Sequence, residues 1–253
     1  MMLSLFKKKK NEACCTAVIV AAGSSSRMNG TDKIMADLGG KPVVYYAIRA
    51  FDMNPFIAEI VVVTRQELLA PIAQLCSDHG FSKVRAVVLG GETRVHSVLN
   101  GARQARFEWI AVHDAARPLV PQRVITDAVK KAVEFGAAAP AIPVKDTVKM
   151  ADNGAVTATP PREKLVAVQT PQVFDADLLR AALEQALKDG APVTDDCSAV
   201  ERIGMRVFLS EGAEENFKIT TPSDWKLVKV WMEDERCESD TATTYTALPR
   251  ADR

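Results

Sequence analysis

The strongest constraint on the fold is a repeated unit: a short, almost wholly apolar run, then a segment of helical pattern. Thr16-Ala17-Val18-Ile19-Val20-Ala21-Ala22 runs into Gly23. A run without polar alternation suits a strand buried on both faces of a parallel sheet. The unit recurs at Glu59 to Thr64, at Val84 to Leu89 before Gly90-Gly91, at Trp109 to His113 with Asp114 at its carboxyl end, and at Ala137 to Val144. Between these runs, Lys41 to Phe51 has apolar residues at helical spacing and Pro42 near its start, where a missing N–H costs nothing. Ala70 to His79, Thr93 to Ala105 and Pro121 to Phe135 also read as helices, the first closed by Gly80 and the last by Gly136. The alternation predicts right-handed crossovers and an α/β, Rossmann-like, mostly parallel sheet with helices on both faces. In such sheets ligands bind beyond the carboxyl ends of the strands. Three loops fall there: Gly23 to Arg27, Gly90 to Arg94 and Asp114 to Pro118.

One stretch breaks the pattern. Asp152-Asn153-Gly154 is a hairpin signal. It predicts strands at Val144 to Met150 and Val156 to Thr159, within a protruding β-hairpin arm spanning about 144–168. An arm that leaves its domain must bury its apolar face elsewhere, so a homodimer through the arm is expected. Beyond it the pattern predicts a helix at Ala176 to Lys188, a short helix at Asp195 to Ile203, a strand at Arg206 to Leu209 and a helix at Ser223 to Met232. A single α/β domain is expected over 15–235. Residues 1–14 are expected to form a flexible segment and 236–253 a disordered tail.

Composition excludes several functions. Lys and Arg number 32 against 32 Asp and Glu, so the basic excess of an extended nucleic-acid footprint is missing. No apolar run approaches the length of a membrane span, and Lys7 to Lys10 follow rather than precede the apolar start, the reverse of a secretory signal. Cys14, Cys15, Cys76, Cys197 and Cys237 form no CxxC, and His79, His96 and His113 match no zinc spacing. The reading is free thiols in a reducing, cytoplasmic setting, with no structural metal and no nucleic-acid or membrane partner.

The first loop offers backbone N–H groups and hydroxyls from Gly23, Ser24, Ser25 and Ser26, with Arg27 and Lys33 nearby. These can cradle and neutralise phosphates. Neither GxxxxGK[ST] nor GxGxxG is present, and an ordinary turn with two solvated cations is equally open. Asp114, followed by Ala115-Ala116-Arg117, can bind a divalent cation carried by a nucleotide, cap the next turn, or pair with Arg117. His113, inside an apolar run, reads as a hydrogen-bonded core histidine. Lys218 sits in a strand-like run, Phe217 to Thr220, and by itself reads as surface.

Seven segments then occur in register: Ala21 to Met28 with Lys33, Gly90 to Val98, Val112 to Pro118, Pro143 to Lys149, Gln169 to Gln172, Thr194 to Asp196, and Asn216 to Thr220. Together, from about Ala17 to Trp231, they closely resemble the 2-C-methyl-D-erythritol 4-phosphate cytidylyltransferases of the non-mevalonate isoprenoid pathway. The resemblance implies that CTP and the polyol phosphate give the CDP-alcohol and pyrophosphate, with Mg²⁺ or another divalent cation. It implies catalytic roles for Arg27, Lys33 and Lys218. It implies nucleotide contacts from Ala21, Ala22, Gly23, Ser24, Gly91, Glu92, Ser97, Asp114 and Ala115, with Asp114 also near the metal. It implies polyol phosphate contacts from Asp114 and Arg117, and from Thr147 and Arg162 on the arm, the last two reaching the neighbouring subunit of a dimer. The chain departs from the family pattern at Ser25, usually glycine, and at Asp32 and Ile34, which stand where proline and glutamine usually flank Lys33. Rival readings are a ribitol-5-phosphate cytidylyltransferase, a sugar-1-phosphate nucleotidyltransferase and a non-catalytic nucleotide-binding protein of the same fold.

Overall fold

Each apolar run becomes a strand of one sheet, in a computed structural model that describes residues 13–23 and 32–232. The expected flexible start up to residue 12, the loop with Ser24, Ser25 and Arg27, and the expected tail lie outside the described residues. β1 (Cys15–Val20) is followed by a two-residue ribbon, β2 (Asp37–Leu38) with β3 (Lys41–Pro42), then α1 (Val43–Asp52). β4 (Ile57–Thr64), α2 (Leu69–Asp78), β5 (Val84–Leu89), α3 (Arg94–Gln104), β6 (Trp109–Asp114) and α4 (Gln122–Phe135) continue the alternation. β7 (Ala137–Pro143) leads to the arm, β8 (Met150–Asp152) and β9 (Ala155–Ala158). The chain returns through β10 (Val166–Val168) and β11 (Gln172–Asp175) to α5 (Ala176–Lys188), α6 (Asp196–Arg202) and β12 (Phe208–Glu211). A last helix, α7, occupies 222–232.

The sheet runs β10-β7-β11-β6-β1-β4-β5, with β12 also on β7. β6, β1, β4 and β5 are parallel neighbours. Because side chains alternate across a strand, Ala17, Ile19, Ile60 and Val62 face α1, α2 and α4, all in one buried cluster. Val18, Val61, Val63 and Val112 face α3, α5 and α6 in the other. Helices therefore cover both faces, as expected for a doubly wound sheet. Gly101 of α3 permits this contact, because a Cβ there would come within 2.5 Å of Val18 and 2.7 Å of Val63.

Four expectations are corrected. α1 starts at Val43, with Pro42 extended just before it (φ −67°, ψ 151°) rather than helical. The parallel succession does not pass directly from β6 to β7, because β11 inserts between them, antiparallel to both. Only four residues long, β11 carries no periodic signal of its own, and tertiary pairing makes it a strand. In the arm, Asn153 (φ 48°) and Gly154 (φ 80°) form the predicted turn, but the first strand begins at Met150, not Val144. Phe217 to Thr220 is not a strand: the Ile219 N–H donates to the Ala116 carbonyl and that of Thr220 to Asp224, so these groups are satisfied outside any ladder. Met150 and Val156 of the arm are 57% and 61% exposed in the single chain. Among the described residues, no helix is long and apolar enough to cross a membrane.

Candidate active site

The strand order reverses about β1: the chain moves outward through β4 and β5, then returns to place β6 on β1's other side. At the carboxyl ends of β1 and β6 this leaves a cleft of about 400 Å³, where doubly wound sheets bind ligands. Ala22, Gly23, Lys33, Gly91, Glu92, Ser97, Asp114 and Lys218 all line it. The glycine pair after β5 is there because of close approach. A Cβ on Gly90 would stand 2.7 Å from the Ala22 side chain, and one on Gly91 would stand 2.4 Å from His96. The loop is pinned by Ser97, whose Oγ accepts the Gly91 N–H at 3.1 Å and donates to the Thr93 carbonyl at 3.0 Å.

Asp114 is the electrostatic centre. Lys218 Nζ lies 2.9 Å from its Oδ2, Arg94 3.6 Å from its Oδ1, and Arg117 Nε 3.9 Å from its Oδ2. Burial works against its charge, but Lys218, then Arg94 and Arg117, outweigh it and hold the carboxyl well below the usual carboxylate range. Asp114 is therefore ionised at any working pH. Lys33, Lys218 and Arg94 line the cleft against Asp114 and Glu92, which leaves it suited to an anion. Lys33 approaches from the other side, its Nζ 3.3 Å from the Ile219 carbonyl, next to Lys218 in the chain.

Beneath Asp114, His113 is fully buried. Its Nδ1 lies 3.0 Å from Thr170 Oγ1 and its Nε2 3.1 Å from the Arg117 carbonyl. Thr170 Oγ1 in turn accepts the Asp114 N–H at 3.2 Å. The arrangement is satisfied when neutral imidazole donates from Nε2 to the carbonyl and accepts from the threonine hydroxyl at Nδ1. The expected core histidine is present, and it anchors the Asp114 loop. Burial pushes its pKa down from 6.5 to about 4. The unfolded chain therefore binds this proton more readily, and the stability it contributes is complete above pH 6.5 and is lost as pH falls toward 4. From pH 7 to pH 5 the loss should be about 2 kcal/mol. Urea titrations of wild type and His113→Gln at both pH values check this, and equal losses in the two proteins would contradict it.

Arg94 is a residue whose role sequence reasoning missed. It begins α3, lines the cleft, and grips Asp196 through Nη1–Oδ1 and Nη2–Oδ2, both at 2.8 Å. Asp196 is 1% exposed. Burial pushes its carboxyl up, and the bidentate arginine opposes that shift. Both residues stood in recognised segments, but the spacing of 102 positions between them carried no sign of the pairing. The Thr194 to Asp196 segment folds as a capping box: Asp195 accepts the Ser198 N–H, and Ser198 Oγ accepts the Asp195 N–H.

Other predicted residues sit differently. The side chains of Ala21 and Ala115 are in the apolar core, not on the cleft wall. Arg117 lies under Asp114 and donates Nη1 to the Asn216 carbonyl at 2.6 Å. Thr147 and Arg162 are exposed on the arm, and Arg162 Nη1 donates to the Lys145 carbonyl at 3.0 Å. Ser24 and Arg27 lie outside the described residues. Asp32 pairs with Arg65 rather than standing alone, and Ile34 is a buried residue at the cleft. Among the described residues, no three His, Cys, Asp or Glu side chains gather into a metal site. Asp114, already faced by three cations, offers a single protein carboxylate, too few oxygens for the protein to hold a divalent ion without oxygens from a ligand.

A doubly wound sheet with lysines and arginine in a cleft at its switch point defines the chain as an α/β protein with a site suited to an anionic ligand. The family profile of 2-C-methyl-D-erythritol 4-phosphate cytidylyltransferase matches residues 15–234, and the chain belongs to that family. The cytidylyltransferase of that name from Caldanaerobacter subterraneus subsp. tengcongensis is 43% identical over 217 residues, 82% of this chain and 94% of that one. The solved structure of 4-diphosphocytidyl-2C-methyl-D-erythritol synthase from Anaerococcus prevotii superposes with a TM-score of 0.78 at 28% identity, covering 87% of this chain and 96% of that one. The structure of the Thermus thermophilus cytidylyltransferase has a TM-score of 0.72 at 31% identity, covering 85% of this chain and 98% of that one.

Proposed function

We propose that this chain transfers CMP from CTP to 2-C-methyl-D-erythritol 4-phosphate and releases pyrophosphate. The observation that carries this reading is the convergence of Lys33, Lys218 and Arg94 on one cleft around Asp114. The nucleophile is a phosphate monoester with a second pKa of about 6, largely dianionic at neutral pH. It needs no general base. Its oxygen attacks the α-phosphorus, and the bond from that phosphorus to the bridging oxygen of pyrophosphate breaks. The difficulty is bringing two anions together and stabilising the charge that builds on the transferring group. Lys33 and Lys218, with Arg27, are assigned to that charge. Ala22, Gly91, Glu92 and Ser97 are assigned to the cytosine and Asp114 to the ribose side. Ala21 and Ala115 can contribute only through their backbone. Mg²⁺ would be held by the triphosphate with Asp114, where it would neutralise phosphate charge.

The functional unit on this reading is a homodimer. Exposed Met150 and Val156 need a cover, and Thr147 and Arg162 on the same arm are assigned to the polyol phosphate in the partner's cleft. Subunit complementation tests this. Lys218→Ala disables a cleft and Arg162→Ala disables an arm. Mixing the two inactive proteins should restore about a quarter of wild-type pyrophosphate release, since half the dimers are mixed and each mixed dimer has one intact site. Mixtures that stay inactive would show that the arm does not act across the dimer. Cys15, Cys76 and Cys197 are free thiols, which suits a reducing cytoplasm.

A further inference from the structure

Asp32 is the family departure that most needs a physical explanation, because it places a carboxylate beside Lys33, at the mouth of a cleft built for a polyanion. The structure supplies its counterpart. Arg65, the residue after β4, donates Nη2 to Asp32 Oδ2 and Nη1 to the Gly23 carbonyl, the latter at 3.3 Å. Its Nε faces Glu67 Oε1 at 2.8 Å without hydrogen-bonding alignment. Asp32 uses its second oxygen, Oδ1, to accept the Ile34 N–H at 3.0 Å, so the carboxylate spans the backbone on either side of Lys33. The pair is only about a quarter exposed, at 25% for Arg65 and 28% for Asp32. Gly23 and Lys33 both line the cleft, and Arg65 does not.

We propose that Arg65 is a positioning residue for the nucleotide. It neutralises the one carboxylate next to Lys33, and its planar fork ties the peptide that carries Lys33 to the end of β1. A lysine could supply the charge but could not span both partners with fixed geometry. This inference rests on the reading that the cleft takes CTP. A purely structural ion pair of this exposure would change stability little and leave nucleotide affinity alone.

The test is CTP binding with Mg²⁺ by calorimetry, together with KM and kcat for pyrophosphate release, for wild type, Arg65→Ala, Arg65→Lys, Asp32→Asn and Arg65→Ala/Asp32→Asn. Arg65→Ala exposes the triphosphate to an unpaired carboxylate and should weaken CTP binding and raise KM about tenfold. Arg65→Lys should fall between it and wild type. Removing the carboxylate in the double variant should bring KM back to within about threefold of wild type. Melting curves identify any variant that fails to fold, so the reversal is read in the KM of folded protein rather than in stability. Wild-type KM in Arg65→Ala, or a double variant no better than Arg65→Ala, overturns the role of Arg65. A wild-type protein that binds no CTP overturns instead the reading of the cleft on which it rests.

Discussion

Lys33→Ala should fold, and should release pyrophosphate more slowly than wild type by on the order of 10²–10³, the usual effect of losing one transition-state charge partner. The loss should appear mainly in kcat, because charge on the transferring group is greatest in the transition state and the remaining cations still hold CTP. Its ammonium stands 3.3 Å from the Ile219 carbonyl. A hydrogen bond from a charged group is worth about 1.5–3 kcal/mol, so urea unfolding should change by no more than about 3 kcal/mol. Single-turnover assays with saturating CTP separate the two effects. A Lys33→Ala protein with wild-type turnover would remove this residue from the chemistry.

The second large effect is on folding. Arg94→Ala leaves the Asp196 carboxylate, 1% exposed, without its bidentate partner. Breaking one side of a buried ion pair costs about 3–5 kcal/mol, because a charge is stranded out of water. Chemical denaturation should show a loss of that size. Asp196→Asn added to Arg94→Ala should recover part of it by removing the stranded charge. A loss below about 1 kcal/mol in Arg94→Ala would mean that Asp196 finds other compensation or is protonated. Asp114 should respond as well: without Arg94, at 3.6 Å, its carboxyl is held down by Lys218 and Arg117 alone.

Local features were legible where the physics is local. β5 and α5 have the bounds their apolar periodicity predicts, Val84–Leu89 and Ala176–Lys188, and the Asn153-Gly154 turn lies where its dipeptide requires. His113 was readable as core because a polar ring inside an apolar strand must be hydrogen-bonded. What was not legible depends on distant partners. β11 is a strand because β6 and β7 flank it. Asp32 stands beside Lys33 in the sequence, and only the fold brings Arg65, 33 positions away, to meet it. The balance of 32 positive and 32 negative side chains gives no sign of a charged site. It hides a local site in which Lys218, Arg94 and Arg117 surround one aspartate.

The roles assigned to the cleft all require one reaction, and pyrophosphate release from CTP and Mg²⁺ measures it, with 2-C-methyl-D-erythritol 4-phosphate and ribitol 5-phosphate offered side by side. Release that depends on 2-C-methyl-D-erythritol 4-phosphate is the predicted result. Release with ribitol 5-phosphate alone would contradict the substrate, and release with neither would contradict catalysis by this cleft.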